Sequence, residues 1–288
     1  MNPDWFSRYI ATPYQLGQVD VAGVNITYQQ WSSGHQHSIL FVHGHAAHAH
    51  WWDFIAPAFS TGYNCVAINL SGAGDSGHRQ EYSAALFADE LAAVCLSANI
   101  QKPVIIAHSF GGSMARIACH LQPELASSLV IVDSLISTHR SDRKPPALPK
   151  QKTRYYPTVE AGMKRFRLRP PQPCENDFIV SHIARHSLVE EVAGFKFKLD
   201  QAVFAKMDNK EQYPDGASMI RKLNIPVGMI YGEQSRFFGQ DQVELVRKLL
   251  DPALVVCIPG AHHHVFLDQP LAFIESTRSM LQQIRTAQ

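Results

Sequence analysis

The chain has 288 residues, 45% of them hydrophobic, and a formal net charge of +1. That balance suits a globular protein with a substantial core and leaves no global field to recruit nucleic acid or a membrane surface. No stretch approaches the roughly 18 apolar residues of a membrane span, and the opening MNPDWFSRYI lacks the apolar run of a secretory signal. The cysteines are Cys65, Cys95, Cys119, Cys174 and Cys257. They are odd in number and show no C-x-x-C spacing, as expected of reduced, mostly buried thiols in a cytoplasmic protein.

The first elements in chain order are GQVDVAG and VNITYQQW, which read as a β-hairpin turning at Ala22 and Gly23. SILFVHG and YNCVAINL are short apolar runs of the kind buried parallel strands carry. YSAALFADELAAVCLSANI has helical spacing, with Leu86, Leu91, Val94 and Cys95 on one side. KPVIIAHS is a strand and FGGSMARIACHLQP a helix closed before Pro123; SSLVIVDS is again a strand. NIPVGMIYGE (strand), QDQVELVRKLL (helix), ALVVCIPGA (strand) and PLAFIESTRSMLQQIR (helix) complete the chain. Such alternation predicts an α/β fold, a mostly parallel sheet with helices on both faces. It stops between residues 136 and 222. There the Pro-rich stretch from Arg140 to Arg169 holds ten Lys or Arg against Asp142 and Glu160. That is too long for a plain loop. We expect residues 136–222 to be an inserted, largely helical lid on a core made of residues 1–135 and 223–288. NDFIVSHIARHSLVEEV would supply a lid helix capped at Asn176 or Asp177.

IIAHSFGGSMA sets Ser109 between a strand and a helix, with Ala107 and Gly111 two residues to either side. This is the spacing of a nucleophile elbow, where small neighbours let a strained turn raise the hydroxyl above the sheet. FVHGHAAHAHWW carries His43, His45, His48 and His50 and admits two chemistries. His43, His45 and His48 nearly spell an H-x-H-x-D-H metal cradle, but Ala47 stands where the Asp belongs and no matching second ligand set follows. The alternative is an oxyanion loop, in which the backbone N–H groups of His45 and Phe110 would bind a tetrahedral oxyanion. His48 and His50 then read as packing or pocket-rim residues.

Four segments, FVHGHAAHAHWW, AINLSGAGDSG, AHSFGG and PGAHHHVFLDQP, resemble the α/β-hydrolase superfamily across nearly the whole chain. The resemblance implies an eight-stranded sheet and a serine hydrolase with a Ser–His–acid triad. Ser109 is the implied nucleophile. The last segment resembles G-H-x-x-x-x-[ED]-x-P, which makes His263 the general base and leaves His262 and His264 as bystanders. In NLSGAGDSG, Asn69 and Ser71 replace the usual Asp and Arg of a structural loop. The acid usually follows the strand NIPVGMIYGE, but Ser235 occupies that slot. Asp133, which ends VIVDS, is favoured instead, as in some haloalkane dehalogenases; Glu233 is the alternative.

The implied chemistry is cleavage of a small or medium carboxylic ester, thioester or lactone through an acyl-enzyme. Trp51, Phe110 and Phe166 would line an apolar acyl pocket. Lys164, Arg165, Arg167 and Arg169 would steer an anionic or carrier-bound acyl substrate. No cofactor is implied and no metal is expected. Two other readings stay open: a carbon–carbon bond hydrolase using the same triad, and a non-catalytic binding protein on a hydrolase scaffold. The missing Asp after NIPVGMIYGE favours the last.

Overall fold

The computed structural model describes residues 2–32, 34–139, 147, 153–208 and 210–286. Much of the basic stretch, residues 140–146 and 148–152, therefore lies outside the described residues. The N-terminal third holds α1 (Asp4–Ile10), β1 (Gln15–Val21), β2 (Val24–Trp31), β3 (Ser38–Val42), β4 (Asn64–Ile68) and α2 (Ala84–Ser97). Then come β5 (Val104–His108), α3 (Phe110–Leu121) and β6 (Ser128–Val132). The segment expected to be the lid holds α4 (Val159–Met163), α5 (Asp177–His186), β7 (Leu188–Glu191), β8 (Gly194–Phe197) and α6 (Gly216–Lys222). The chain ends with β9 (Val227–Gly232), α7 (Gln240–Leu249), β10 (Val255–Ile258), α8 (Val265–Asp268) and α9 (Pro270–Thr286).

The main sheet has eight strands in the order β1-β2-β4-β3-β5-β6-β9-β10. β1 and β2 pair antiparallel through the turn at Ala22 and Gly23, where both residues take positive φ, and β2 pairs antiparallel with β4. From β4 to β10 every pairing is parallel. Alternate residues of the parallel strands enter two cores. Leu40, Ile105 and Leu129 face the side covered by α2 and α3, while Phe41, Ile106 and Val130 face the side of α9 and the 3-10 turn Ala49–Trp52. Burial on both faces is why these strands read as unbroken apolar runs.

The helical face expected on α2 is nearly right. Leu91, Val94 and Cys95 are buried, but Leu86 is half-buried and Phe87 takes its place in the core. The expectation of a largely helical segment at 136–222 needs correction. LVEE does not extend α5; it forms β7, which pairs antiparallel with β8 in its own two-stranded sheet. The Ser187 side chain turns back to donate to the Ile183 carbonyl, and Gly194, at φ 114°, opens β8 opposite Glu191. Helix α6 falls within 136–222 but packs against α3 of the main body. All five cysteines are free thiols, and Cys65, Cys95 and Cys119 are buried. Among the described residues no helix is long and apolar enough to cross a membrane.

Candidate active site

Parallel strands deliver their chemistry at their C-terminal ends. Here β3 ends at the loop of His43, Gly44 and His45, β5 at Ser109, β6 at Asp133, and β10 leads into the His263 loop. Ser109 sits at φ 52°, ψ −120° as the residue before α3. A non-glycine residue held there stores roughly 1–3 kcal/mol of strain. The surroundings fix it: its N–H donates to the Val132 carbonyl at 2.9 Å and its carbonyl accepts from Ser113 N–H at 3.2 Å. The small neighbours are needed sterically. A Cβ on Gly111 would lie 2.3 Å from the His43 carbonyl oxygen, and one on Gly112 would lie 2.8 Å from Ser134 Cβ.

Ser109 Oγ lies 2.9 Å from His263 Nε2, and His263 Nδ1 lies 2.7 Å from Asp133 Oδ1. Asp133 is fully buried. It also accepts from Ser235 Oγ–H at 2.7 Å and from Gly232 N–H at 2.9 Å. An acceptor oxygen facing Nδ1 favours the tautomer that carries the ring proton on that nitrogen. Nε2 is then free to accept from Ser109. Glu233, the alternative acid, is exposed and accepts from Gly260 N–H at 3.0 Å, away from His263. Gly232 must be glycine for this packing, because a Cβ there would lie 2.3 Å from the carbonyl oxygens of Ala261 and His262.

His45 and Phe110 are neighbours, with ring centroids 6.4 Å apart. Phe110 opens α3, where a backbone N–H has no intrahelical acceptor. His43 steadies the loop: its Nδ1–H donates to the Gly44 carbonyl at 2.7 Å and its Nε2 accepts from Leu70 N–H at 3.1 Å. Burial pushes its pKa down to about 4, so the ring is neutral near pH 7. His45 is also lowered to about 4, by burial and then by the positive charge of Arg169. The rings of His43, His45 and His48 do not converge on a common point among the described residues; His48 Nε2 pairs with Ser187 Oγ at 2.9 Å.

The other histidines of the C-terminal cluster are structural. His262 pairs with Asp268 through Nδ1 at 3.2 Å. His264 is buried, donates from Nε2 to the Pro170 carbonyl at 3.2 Å, and is lowered to about 3 by burial and by His263. His108 Nε2–H donates to the His263 carbonyl at 3.0 Å and so fixes the backbone of that loop. Asn176 stands at the start of α5 as expected, but its side chain does not cap the helix. It donates to the carbonyls of Leu267 and Asp268 at 2.7 and 3.1 Å. Sequence reasoning missed His108, the bonds Asn176 makes in place of a cap, and the donor role of Ser235, although it had marked Ser235 as the residue in the acid's usual slot.

Trp51 is corrected from pocket wall to core residue. It is 2% exposed and packs edge-on against His264 and Phe266. Phe166 lines a cleft of about 120 Å³, together with Ala46, Ala47 and His48 of the loop after β3. Arg165, Arg167, Arg169 and Lys198 bring positive charge to that wall; Lys164 is exposed and not part of it. Ser109, His263 and Asp133 are not in the wall of that cleft.

The family described as alpha/beta hydrolase fold matches residues 37–270. The chain belongs to this family and is a hydrolase-fold enzyme. It is similar to the esterase Rv0045c of Mycobacterium tuberculosis, with 26% identity over 84% of this chain and 82% of that protein. It is also similar to the sn-1-specific diacylglycerol lipase ABHD11 of Danio rerio, with 24% identity over 90% of this chain and 83% of that one. A putative esterase/lipase of Haemophilus influenzae is 34% identical over 33% of each chain, so the match spans a third of that relative. Among solved structures, E-2-(acetamidomethylene)succinate hydrolase superposes with a TM-score of 0.76 at 18% identity, over 94% of this chain and 100% of that one. At that identity the likeness is one of fold.

Proposed function

We propose that the chain is a serine carboxylic-ester hydrolase in which Ser109, His263 and Asp133 form the triad and the His45 and Phe110 amides form the oxyanion hole. The single observation carrying this is the continuous chain of hydrogen bonds from Ser109 Oγ to His263 Nε2 and from His263 Nδ1 to Asp133. Ser109 Oγ attacks the acyl carbon as Nε2 takes its proton, and Asp133 stabilises the imidazolium. The two amides receive the oxyanion. The imidazolium then gives its proton to the leaving alcohol or thiol oxygen or sulfur, which departs and leaves Ser109 acylated. Water, deprotonated by Nε2, attacks the acyl group, and the proton returns to Ser109 as the acid leaves. The names of the esterase and lipase relatives support ester substrates. A binding protein on the same scaffold would have no use for a buried carboxylate aimed at His263 Nδ1.

The same reading takes residues 136–222 as a lid whose residues 165–169 and 187–201 wall the cleft with the oxyanion loop. Neither Arg165 nor Arg169 pairs with a described carboxylate, and Phe166, Phe197 and Leu199 share the cleft wall with them. This supports an acyl or alcohol group carrying a carboxylate or phosphate. Hydrolysis of p-nitrophenyl acetate and butyrate tests the proposal, in the wild type and in Ser109→Ala, His263→Ala, Asp133→Asn and Glu233→Gln. Turnover that survives EDTA and collapses in the first three variants supports it. No turnover in the wild type turns the reading towards the carbon–carbon hydrolase or the binding protein.

A further inference from the structure

Four donors unused by this chemistry meet where the chain after β3 touches α5. His50 lies in the 3-10 turn Ala49–Trp52, and Asp53 follows it directly. His182 and His186 lie four residues apart on α5, so both rings leave one helix face. One ligating atom of each of the four lies within 4.8 Å of those of the others. His50 Nδ1 and His182 Nε2 both sit 2.8 Å from Asp53 Oδ2, and the His50 and His186 rings stack with centroids 3.9 Å apart.

The charge of this cluster is not balanced by a permanent cation. Asp53 is 5% exposed, and among the described residues its partners are Gln29, His50 and His182, with no Lys or Arg. Burial works to raise its carboxyl, yet hydrogen bonds from His182 and His50 outweigh it and hold the group below the ordinary carboxylate range. His186 stands beside this carboxylate with its ring stacked on that of His50. A buried carboxylate among imidazoles with no fixed cation beside it is an arrangement that a divalent ion stabilises.

We propose that His50, Asp53, His182 and His186 form a zinc site that fastens α5 to the segment after β3. Three imidazoles and one carboxylate match zinc's preference for four nitrogen and oxygen ligands in tetrahedral geometry. Tetrahedral donors at ~2.0–2.1 Å from zinc stand about 3.4 Å apart. The donors stand 2.8 Å apart in two pairs and nowhere more than 4.8 Å apart, so closing the site asks for side-chain rotation rather than movement of either element. From neutral rings the step loses no net proton: the Nδ1 proton of His50 moves to Nε2, and the Nε2 proton of His182 to Nδ1. Gln29 Nε2, 3.1 Å from Asp53 Oδ1, remains as the outer hydrogen bond that orients the carboxylate. Ser187 directly follows His186 and holds His48 in the cleft wall. The ion therefore supports stability and the shape of that wall, not the step at Ser109.

The test strips the full chain with EDTA, removes the chelator and titrates zinc sulfate against a chromogenic competitor, with the thermal midpoint recorded at each stage. One equivalent binds and raises the midpoint. Cobalt(II) in its place gives the visible bands of a four-coordinate ion. His182→Gln and His186→Gln each weaken zinc binding by more than about 100-fold, the upper cost of losing a mere outer partner. Both variants lose the cobalt bands and the midpoint rise, while their metal-free midpoints and ester turnover stay near those of the metal-free wild type. A folded wild type that binds no zinc overturns the proposal. So does binding that both variants retain. So does zinc that blocks ester turnover and is lost in His264→Gln, which assigns the ion to the His108, His263 and His264 cluster.

Discussion

Asp133→Asn keeps the shape of the side chain and replaces one oxygen by an NH2 group. The site dictates how the amide sits. Its oxygen belongs opposite Gly232 N–H, now 2.9 Å from Oδ2, because turning NH2 there sets donor against donor. That mismatch costs about 1–3 kcal/mol. NH2 therefore faces His263 Nδ1 and donates to it. The ring proton moves to Nε2, the nitrogen 2.9 Å from Ser109 Oγ, and the base can no longer accept from the nucleophile. A wrong-tautomer lesion of this kind lowers kcat by about 10³- to 10⁴-fold, which is about 4–5.5 kcal/mol of barrier. Steady-state hydrolysis of p-nitrophenyl butyrate reads it as a kcat loss with KM little changed, while Glu233→Gln stays within about threefold of wild type. If Asp133→Asn keeps more than a tenth of wild-type kcat, or Glu233→Gln loses more, the assignment of the acid is wrong.

Three further outcomes follow from the packing and charge. Gly111→Ala drives a Cβ to 2.3 Å from the His43 carbonyl and collapses soluble yield or turnover, whereas Gly62→Ala, with nothing within 4 Å, shifts stability by less than about 0.5 kcal/mol; equal behaviour of the two would contradict the steric account. His43 and His264, buried and held at about 4 and about 3, refuse protons that the unfolded chain accepts below its ordinary value near 6.5. Stability is therefore full above that value and lost as pH falls: urea unfolding at pH 5 should show about 2 kcal/mol less per ring than at pH 7, and equal stability at both would refute the burial argument. Replacing Arg165 and Arg169 together by Ser should lower kcat/KM for esters carrying a carboxylate, most at low salt, and spare neutral esters; an equal effect on both classes removes the steering role.

The core was legible because strands β3 to β6 are buried on both faces and helices alternate with them, so hydrophobic runs and their punctuation carry the topology. That Ser109 and His263 would meet was legible because the elbow and the C-terminal segment are local patterns. Which carboxylate would stand behind His263 was not, since Asp133 and Glu233 follow adjacent strands and spacing treats them alike. Their difference is tertiary: Asp133 turns inward at φ 43°, and Glu233 faces solvent. Trp51 misled because an aromatic beside an oxyanion loop can face either the cleft or the core, and the packing of His264 and Phe266 decides. The hairpin β7–β8 was read through as helix because its four-residue strands are too short to impose a period. Likewise His50 looked like packing, because its partners His182 and His186 lie in a segment that only the fold brings near.

The central claim is that Ser109 is an activated nucleophile. Intact-mass spectrometry after treatment with a fluorophosphonate tests it without any assumption about substrate. The account predicts one adduct per chain, located at Ser109 by peptide mapping, absent in Ser109→Ala and formed far more slowly in His263→Ala. An unmodified folded wild type, or an adduct that persists in Ser109→Ala, would contradict it.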